Sequence, residues 1–156
     1  MRADEPASSG LAAPAPDIAI ETVAAPDAAW DAFVHAQPGG TLFHLAGWQR
    51  AVARTFGYRP SHLVARRGGR ITGVLPLFVV PTLPWGCSLV SAPQAVYGGP
   101  VAADAESLAA LVRRAGEIGE SLGARYVEFR NLAALPELPG KDLYVTFRKA
   151  ILPTAD

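Results

Sequence analysis

The chain has 156 residues, half of them hydrophobic, with 14 basic and 14 acidic side chains and a formal net charge of zero. That length lets one domain bury roughly two-thirds of its unfolded surface without a disulfide or a metal. The balance of charge leaves no overall electrostatic footprint for nucleic acid or an anionic membrane, and the single cysteine, Cys87, forms no internal disulfide, which fits a reducing compartment and makes the cytoplasm the expected location.

The opening stretch MRADEPASSGLAAPAP mixes charges of both signs with proline and glycine and has no apolar run of signal-peptide length, so residues 1–16 are expected to be a disordered leader. No later segment reaches the roughly 18 uninterrupted apolar residues of a membrane span. The stretch DIAIETVA places Ile18, Ile20 and Thr22 on one side of a first strand. Pro26 and Asp27 open a short helix carrying Trp30, Phe33 and Val34 at helical spacing, ended by Pro38-Gly39-Gly40. A second helix presents Leu45, Trp48, Val52 and Phe56 as its apolar face, with Gly57 at the C-terminal cap.

Two strand-like runs follow, SHLVARR and RITGVLPLFVV, joined by Gly68-Gly69, a pair suited to the positive backbone angles of a tight hairpin. Pro76 cannot donate to a ladder, so an edge or a bulge is expected there. CSLVSA adds a further strand. The longest helix runs from Asp104 to Leu122, with Leu108, Leu111, Val112, Ala115, Ile118 and Leu122 on its apolar stripe. The strand RYVEFR follows, and after the loop LPELPG a last strand, LYVTFRKAIL. This order gives an α/β fold, a mixed β-sheet flanked by helices, in which the long helix crosses over between strands.

In this order FHLAGWQRAVARTFGYRPSHLVARRGGRITGVLPLF, SLVSAPQAVYGGPVA, ARYVEFRN and YVTFRKAIL resemble the first half of a FemAB-type protein of the GNAT acyltransferase fold. The nearest subgroup is the FemAB-related proteins of PEP-CTERM and exopolysaccharide systems. The resemblance implies one GNAT-like domain over residues 17–156 and a second GNAT-like half as its partner, absent here. It further implies an acyl- or aminoacyltransferase of cell-envelope, peptidoglycan or exopolysaccharide metabolism, of which this chain is the acceptor-binding half. The acceptor would be of peptide or saccharide type, and the donor of the whole protein an aminoacyl-tRNA or another acyl donor. A non-catalytic binding module and an interaction half-domain are the alternatives.

Three stretches are candidate sites. In AVYGGPVA, glycine lets a ligand or a second backbone approach closely, so Tyr97, Gly98 and Gly99 either line a cleft ended by Pro100 or form a plain loop with Tyr97 as its anchor. In RYVEFRN, Tyr126, Glu128 and Arg130 point away from the face that Val127 and Phe129 share. The two charged groups either enter a polar cleft or pair across strands with Arg148 or Lys149. His44 either caps the second helix or touches an acceptor. His35 and His62 have no partner at metal-ligand spacing and Cys87 no activating neighbour, so no metal and no cysteine nucleophile are expected. Residues 113–119, RRAGEIG, superficially resemble a coenzyme A phosphate loop, but a mid-helix position leaves no open N–H groups, so no cofactor is expected.

Overall fold

A computed structural model describes residues 17–82, 84, 86–131, 134, 135 and 138–140. The leader and the expected last strand LYVTFRKAIL lie outside these residues, as do Arg148 and Lys149. The described chain forms strand β1 (Ile18–Val23), helices α1 (Ala28–Ala36) and α2 (Ala46–Phe56), strands β2 (Arg59–Pro60), β3 (His62–Arg67), β4 (Arg70–Leu75), β5 (Phe78–Pro81), β6 (Cys87–Val90) and β7 (Val101–Ala102), helix α3 (Ala105–Ser121) and strand β8 (Val127–Glu128).

Among the described residues the strands divide into two four-stranded sheets. One is antiparallel in the order β1-β3-β4-β7, and the other is mixed in the order β2-β5-β6-β8 with β6 and β8 parallel. The expected single mixed sheet is thus corrected. The division sits at Pro76. The pairs Leu63↔Leu75 and Pro60↔Phe78 keep one register, so SHLVARR and RITGVLPLFVV are arms of one long ribbon. Pro76 has no N–H to donate, and the Leu77 N–H turns to Nδ1 of His62 at 3.1 Å, leaving only Ser61 N–H to Leu77 O at 2.9 Å to bridge the gap. At the other end Gly68 and Gly69 take φ values of 57° and 80°, as the hairpin turn requires.

Side-chain alternation along the ribbon builds both cores. Leu63, Ala65 and Leu75 face Leu111 and Ala115 of α3, whereas Val64 and Val74 face Trp30 and Val34 of α1. The antiparallel sheet is therefore covered by a helix on each face. Each buried leucine contributes about 1.5–3 kcal/mol relative to exposure. Gly73 lets α3 come close: a Cβ there would lie 2.8 Å from Leu111 Cδ1. Asp27 caps α1 by accepting the Trp30 N–H at 2.9 Å, and Asp104 caps α3 by accepting the Ser107 N–H at 2.8 Å. α3 carries the chain over to β8, which lies parallel to β6, as a β-α-β connection should.

One packing expectation fails. Phe56, placed on the apolar face of α2, is 45% exposed and stacks on Tyr58, while Gln49 is buried. The helical period gives the direction of Phe56 but not whether anything covers the last turn. Cys87 is half-buried, with Sγ 3.9 Å from Leu122 O.

Candidate functional site

The segment between β6 and β7 is held by backbone contacts from two sides. On one side lies the short 3-10 turn Leu42–His44, which Thr41 caps and His44 ends. The Thr41 hydroxyl donates to Tyr97 O at 2.9 Å, and Nε2 of His44 lies 2.9 Å from Gly99 O. On the other side the N–H groups of Gly98 and Gly99 both donate to Arg130 O, at 2.9 and 3.0 Å. Trp30 supports the turn from α1, its indole Nε1–H donating to His44 O at 2.7 Å. Asp31, also from α1, accepts the Ala46 N–H that opens α2 at 2.7 Å, since Leu45 offers no cap of its own.

These contacts fix the state of His44. A carbonyl oxygen only accepts, so Nε2 carries the proton, and Nδ1 accepts the Thr41 N–H at 3.2 Å. Burial holds the pKa of His44 below its ordinary 6.5, and the bond to Gly99 opposes that shift without reversing it. His44 is a neutral, fully engaged imidazole that closes the turn. It caps the 3-10 turn before α2 rather than α2 itself.

The glycines answer to the chain's own packing. A Cβ on Gly98 would run into Ala92, and one on Gly99 into the Asn131 side chain, with Arg130 O at 3.4 Å. The close neighbour is therefore the chain itself, Ala92 of the same segment for Gly98 and Asn131 for Gly99. Ala92 and Gln94 take positive φ values of 39° and 65°, an unfavourable conformation for residues with a side chain. Arg130 and Glu128 pair with one another: Arg130 Nε lies 2.8 Å from a Glu128 carboxylate oxygen, and Arg130 Nη1 donates to Ala95 O at 3.0 Å. Glu128 ends β8 and Arg130 lies two residues further in the extended chain, so their side chains meet. Val127 and Phe129 pack on the α3 core, as the alternation predicts.

Beside this segment opens a groove of about 650 Å³, with an apolar wall from Pro38, Pro100, Val101, Ala102, Ala105, Leu108 and Leu135 and polar groups from Gln37, Tyr97, Asp104, Arg130 and Asn131. His44 and Gly99 reach its lining as well. The structure thus brings His44, Tyr97, Gly99 and Arg130 to one groove, which Gly98 and Glu128 do not line. Thr41, Asp104 and Asn131 were missed as site residues. The spacing of Thr41 and His44, that of a capping box, was the available signal for the first.

The Ser107 N–H, with Arg67 adding to it, holds the Asp104 carboxyl below its usual range. Arg67 reaches Asp104 at 3.2 Å and Glu106 at 2.6 Å. Two carboxylates thus occupy the start of α3, where a phosphate would otherwise meet free N–H groups. Residues 113–119 lie inside α3. Among the described residues no group of three or more His, Cys, Asp or Glu is placed to hold a metal ion, and no helix is long and apolar enough to cross a membrane.

No protein-family model and no curated protein matches the chain. Among solved structures it is similar to the crystal structure of a transcriptional regulator from Bacillus halodurans C-125, with 15% identity, a TM-score of 0.50, and coverage of 83% of this chain and 100% of that one. At this identity the likeness speaks for the α/β fold alone.

Proposed function

We propose that this chain is the acceptor-binding part of an acyl- or aminoacyltransferase of FemAB type, with a GNAT-like fold. The observation that carries the reading is the groove: His44, Tyr97, Gly99 and Arg130, drawn from the 3-10 turn, the β6–β7 segment and the residues after β8, converge there. The parallel pair β6 and β8, linked across α3, fits that fold.

The groove's chemistry is positioning. Its apolar wall suits the body of an acceptor, and Asn131 and the unengaged N–H groups of Arg130 suit its carbonyl or carboxylate oxygens. His44 has both ring nitrogens engaged, and Asp104, whose pKa its partners lower, is a weak base, so neither is a ready general base. A donor bearing a pyrophosphate finds carboxylates at the start of α3, which disfavours coenzyme A. That neither His44 nor Asp104, among the described residues of the groove, is a ready base favours a second reading, a binding module that presents acceptor to a separate catalytic half.

The test is transfer. The chain is incubated with aminoacyl and acyl donors and a panel of muropeptide and oligosaccharide acceptors, alone and with a candidate second half. Acylated acceptor formed only with the second half supports the proposal, and acceptor binding without any transfer supports the module. No binding of any acceptor of either class overturns both.

A further inference from the structure

Among the described residues β7 is an edge strand, paired to β4 on one side only. The pairs Val74↔Val101 and Gly73↔Ala102 set its register, and the Ala103 N–H donates to Thr72 O at 2.8 Å, which continues that register by one residue. In an antiparallel ladder bonded and non-bonded pairs alternate. Val101 and Ala103 therefore turn their backbone groups to β4, and the N–H and C=O of Ala102 turn outward. Among the described residues neither of these two groups has a partner. The side chains of β7 are spent on the two cores. Val101 packs beside Trp30, and a Cβ at Gly73 would lie 3.3 Å from Ala102 Cβ and 2.8 Å from Leu111 Cδ1, so Ala102 points to the α3 side.

The groove runs along this edge. Val101 and Ala102 line it, and its walls come from both layers: Ala105 and Leu108 from α3, which covers one face of the sheet, and Gln37 and Pro38 from the end of α1, which covers the other. An extended chain laid against β7 sends alternate side chains to the two walls, as any strand of a covered sheet does. The charges give it a direction. Among the described lining residues Arg130 is the one cation and Asp104 the one carboxylate. Arg130 O accepts the Gly99 N–H at 3.0 Å, ahead of β7, and Asp104 follows the strand. Glu128 and Ala95 O hold Nε and Nη1 of Arg130, so its remaining N–H groups are braced beside Asn131. From Gly99 to Asp104 an extended chain spans about 16 Å, room for roughly four residues.

We propose that the groove binds an extended peptide as a strand added antiparallel to β7. One peptide residue exchanges both backbone bonds with Ala102, and the peptide's C-terminal carboxylate lies on Arg130 and Asn131. The inference rests on the reading of the groove as an acceptor site and narrows the acceptor to a peptide, because a saccharide has no backbone that repeats a donor and an acceptor at the period of a strand. It does not depend on transfer.

The test is nuclear magnetic resonance of the labelled full chain, without donor or second half, titrated with the tetrapeptide alanyl-leucyl-alanyl-valine. Its C-terminal amide, its singly N-methylated forms and a tetramer of N-acetylglucosamine are run beside it. The expected result is saturable shifts at Ala102 and Asn131, with the Ala102 amide proton moving downfield. The C-terminal amide should bind about tenfold more weakly. N-methylation should abolish binding only at positions whose N–H turns to β7 and be tolerated at their neighbours. Ala102→Pro removes the outward N–H but none of the ladder to β4, and should abolish peptide binding followed at Asn131. Circular dichroism checks that this variant stays folded, and the N-methyl series decides if it does not. The proposal is overturned by equal tolerance of N-methylation at every residue, by unchanged binding in folded Ala102→Pro, or by equal affinity for peptide and amide. Shifts at these amides with the saccharide alone overturn it but leave the groove an acceptor site, whereas no shifts with either probe overturn both.

Discussion

Nε2 of His44 lies 2.9 Å from the carbonyl oxygen of Gly99, a residue 55 positions further along the chain, and this bond joins the turn before α2 to the wall of the groove. With Thr41 bonded to Tyr97 O, it leaves the carbonyls on both sides of Gly98 held from the same turn.

Replacing His44 by phenylalanine keeps much of the ring volume but removes both bonds, leaving the Gly99 carbonyl and the Thr41 N–H buried without partners. Each unmet group costs about 1–3 kcal/mol. The expected loss is about 2–6 kcal/mol in urea unfolding, with faster amide exchange at Gly98 and Gly99. A loss below about 0.5 kcal/mol, within the range of an ordinary surface change, would remove His44 from the support of the groove.

The two glycines should behave differently. Gly98→Ala drives a methyl into Ala92, a fully buried residue with no room to yield, and should cost about 1–3 kcal/mol. Gly99→Ala meets the end of the Asn131 side chain, which can swing aside, so its cost should be smaller and should shrink further in an Asn131→Ala background. Thermal unfolding of the four variants checks this, and strict additivity of Gly99→Ala with Asn131→Ala would show that the two do not touch.

His62 sets an acid limit on stability. Buried between Phe78 and Trp30, its imidazole has a pKa lowered by burial to about 4 from the ordinary 6.5. Between these values the unfolded chain binds a proton that the folded chain refuses, so stability falls as pH drops from 6.5 towards 4 and His62 costs nothing further below that. The full loss is roughly 3 kcal/mol. In His62→Leu the stability measured by urea between pH 7 and pH 4 should fall by about that much less than in the parent. Parallel profiles for the two proteins would mean that His62 is not held neutral.

Much of the fold was legible because its signals are local. The Gly68-Gly69 turn, the Asp27 and Asp104 caps and the stripe of α3 each depend on residues within a turn or two. What escaped depends on partners far along the chain. Pro76 by itself predicts only an irregularity in one strand, but Leu77 turning to His62 makes it the boundary between sheets. β7 has only two residues and forms because β4 offers an edge at Gly73 and Val74. The convergence of Tyr97, Gly99 and Arg130 was approached through glycine's tolerance of close contacts, whereas the close neighbour turned out to be Arg130 and Asn131. The period of two in RYVEFRN puts Glu128 and Arg130 side by side, and they pair with one another.

The groove is tested most directly by nuclear magnetic resonance of the labelled chain titrated with muropeptide and oligosaccharide acceptors. The account predicts saturable amide shifts confined to Tyr97, Gly99, Val101, Ala102 and Asn131 for one acceptor class. It predicts their loss in Ala105→Trp, which places a bulky ring from an exposed position on the groove wall without disturbing either core. Saturable shifts that map elsewhere, or that persist unchanged in folded Ala105→Trp, would contradict it.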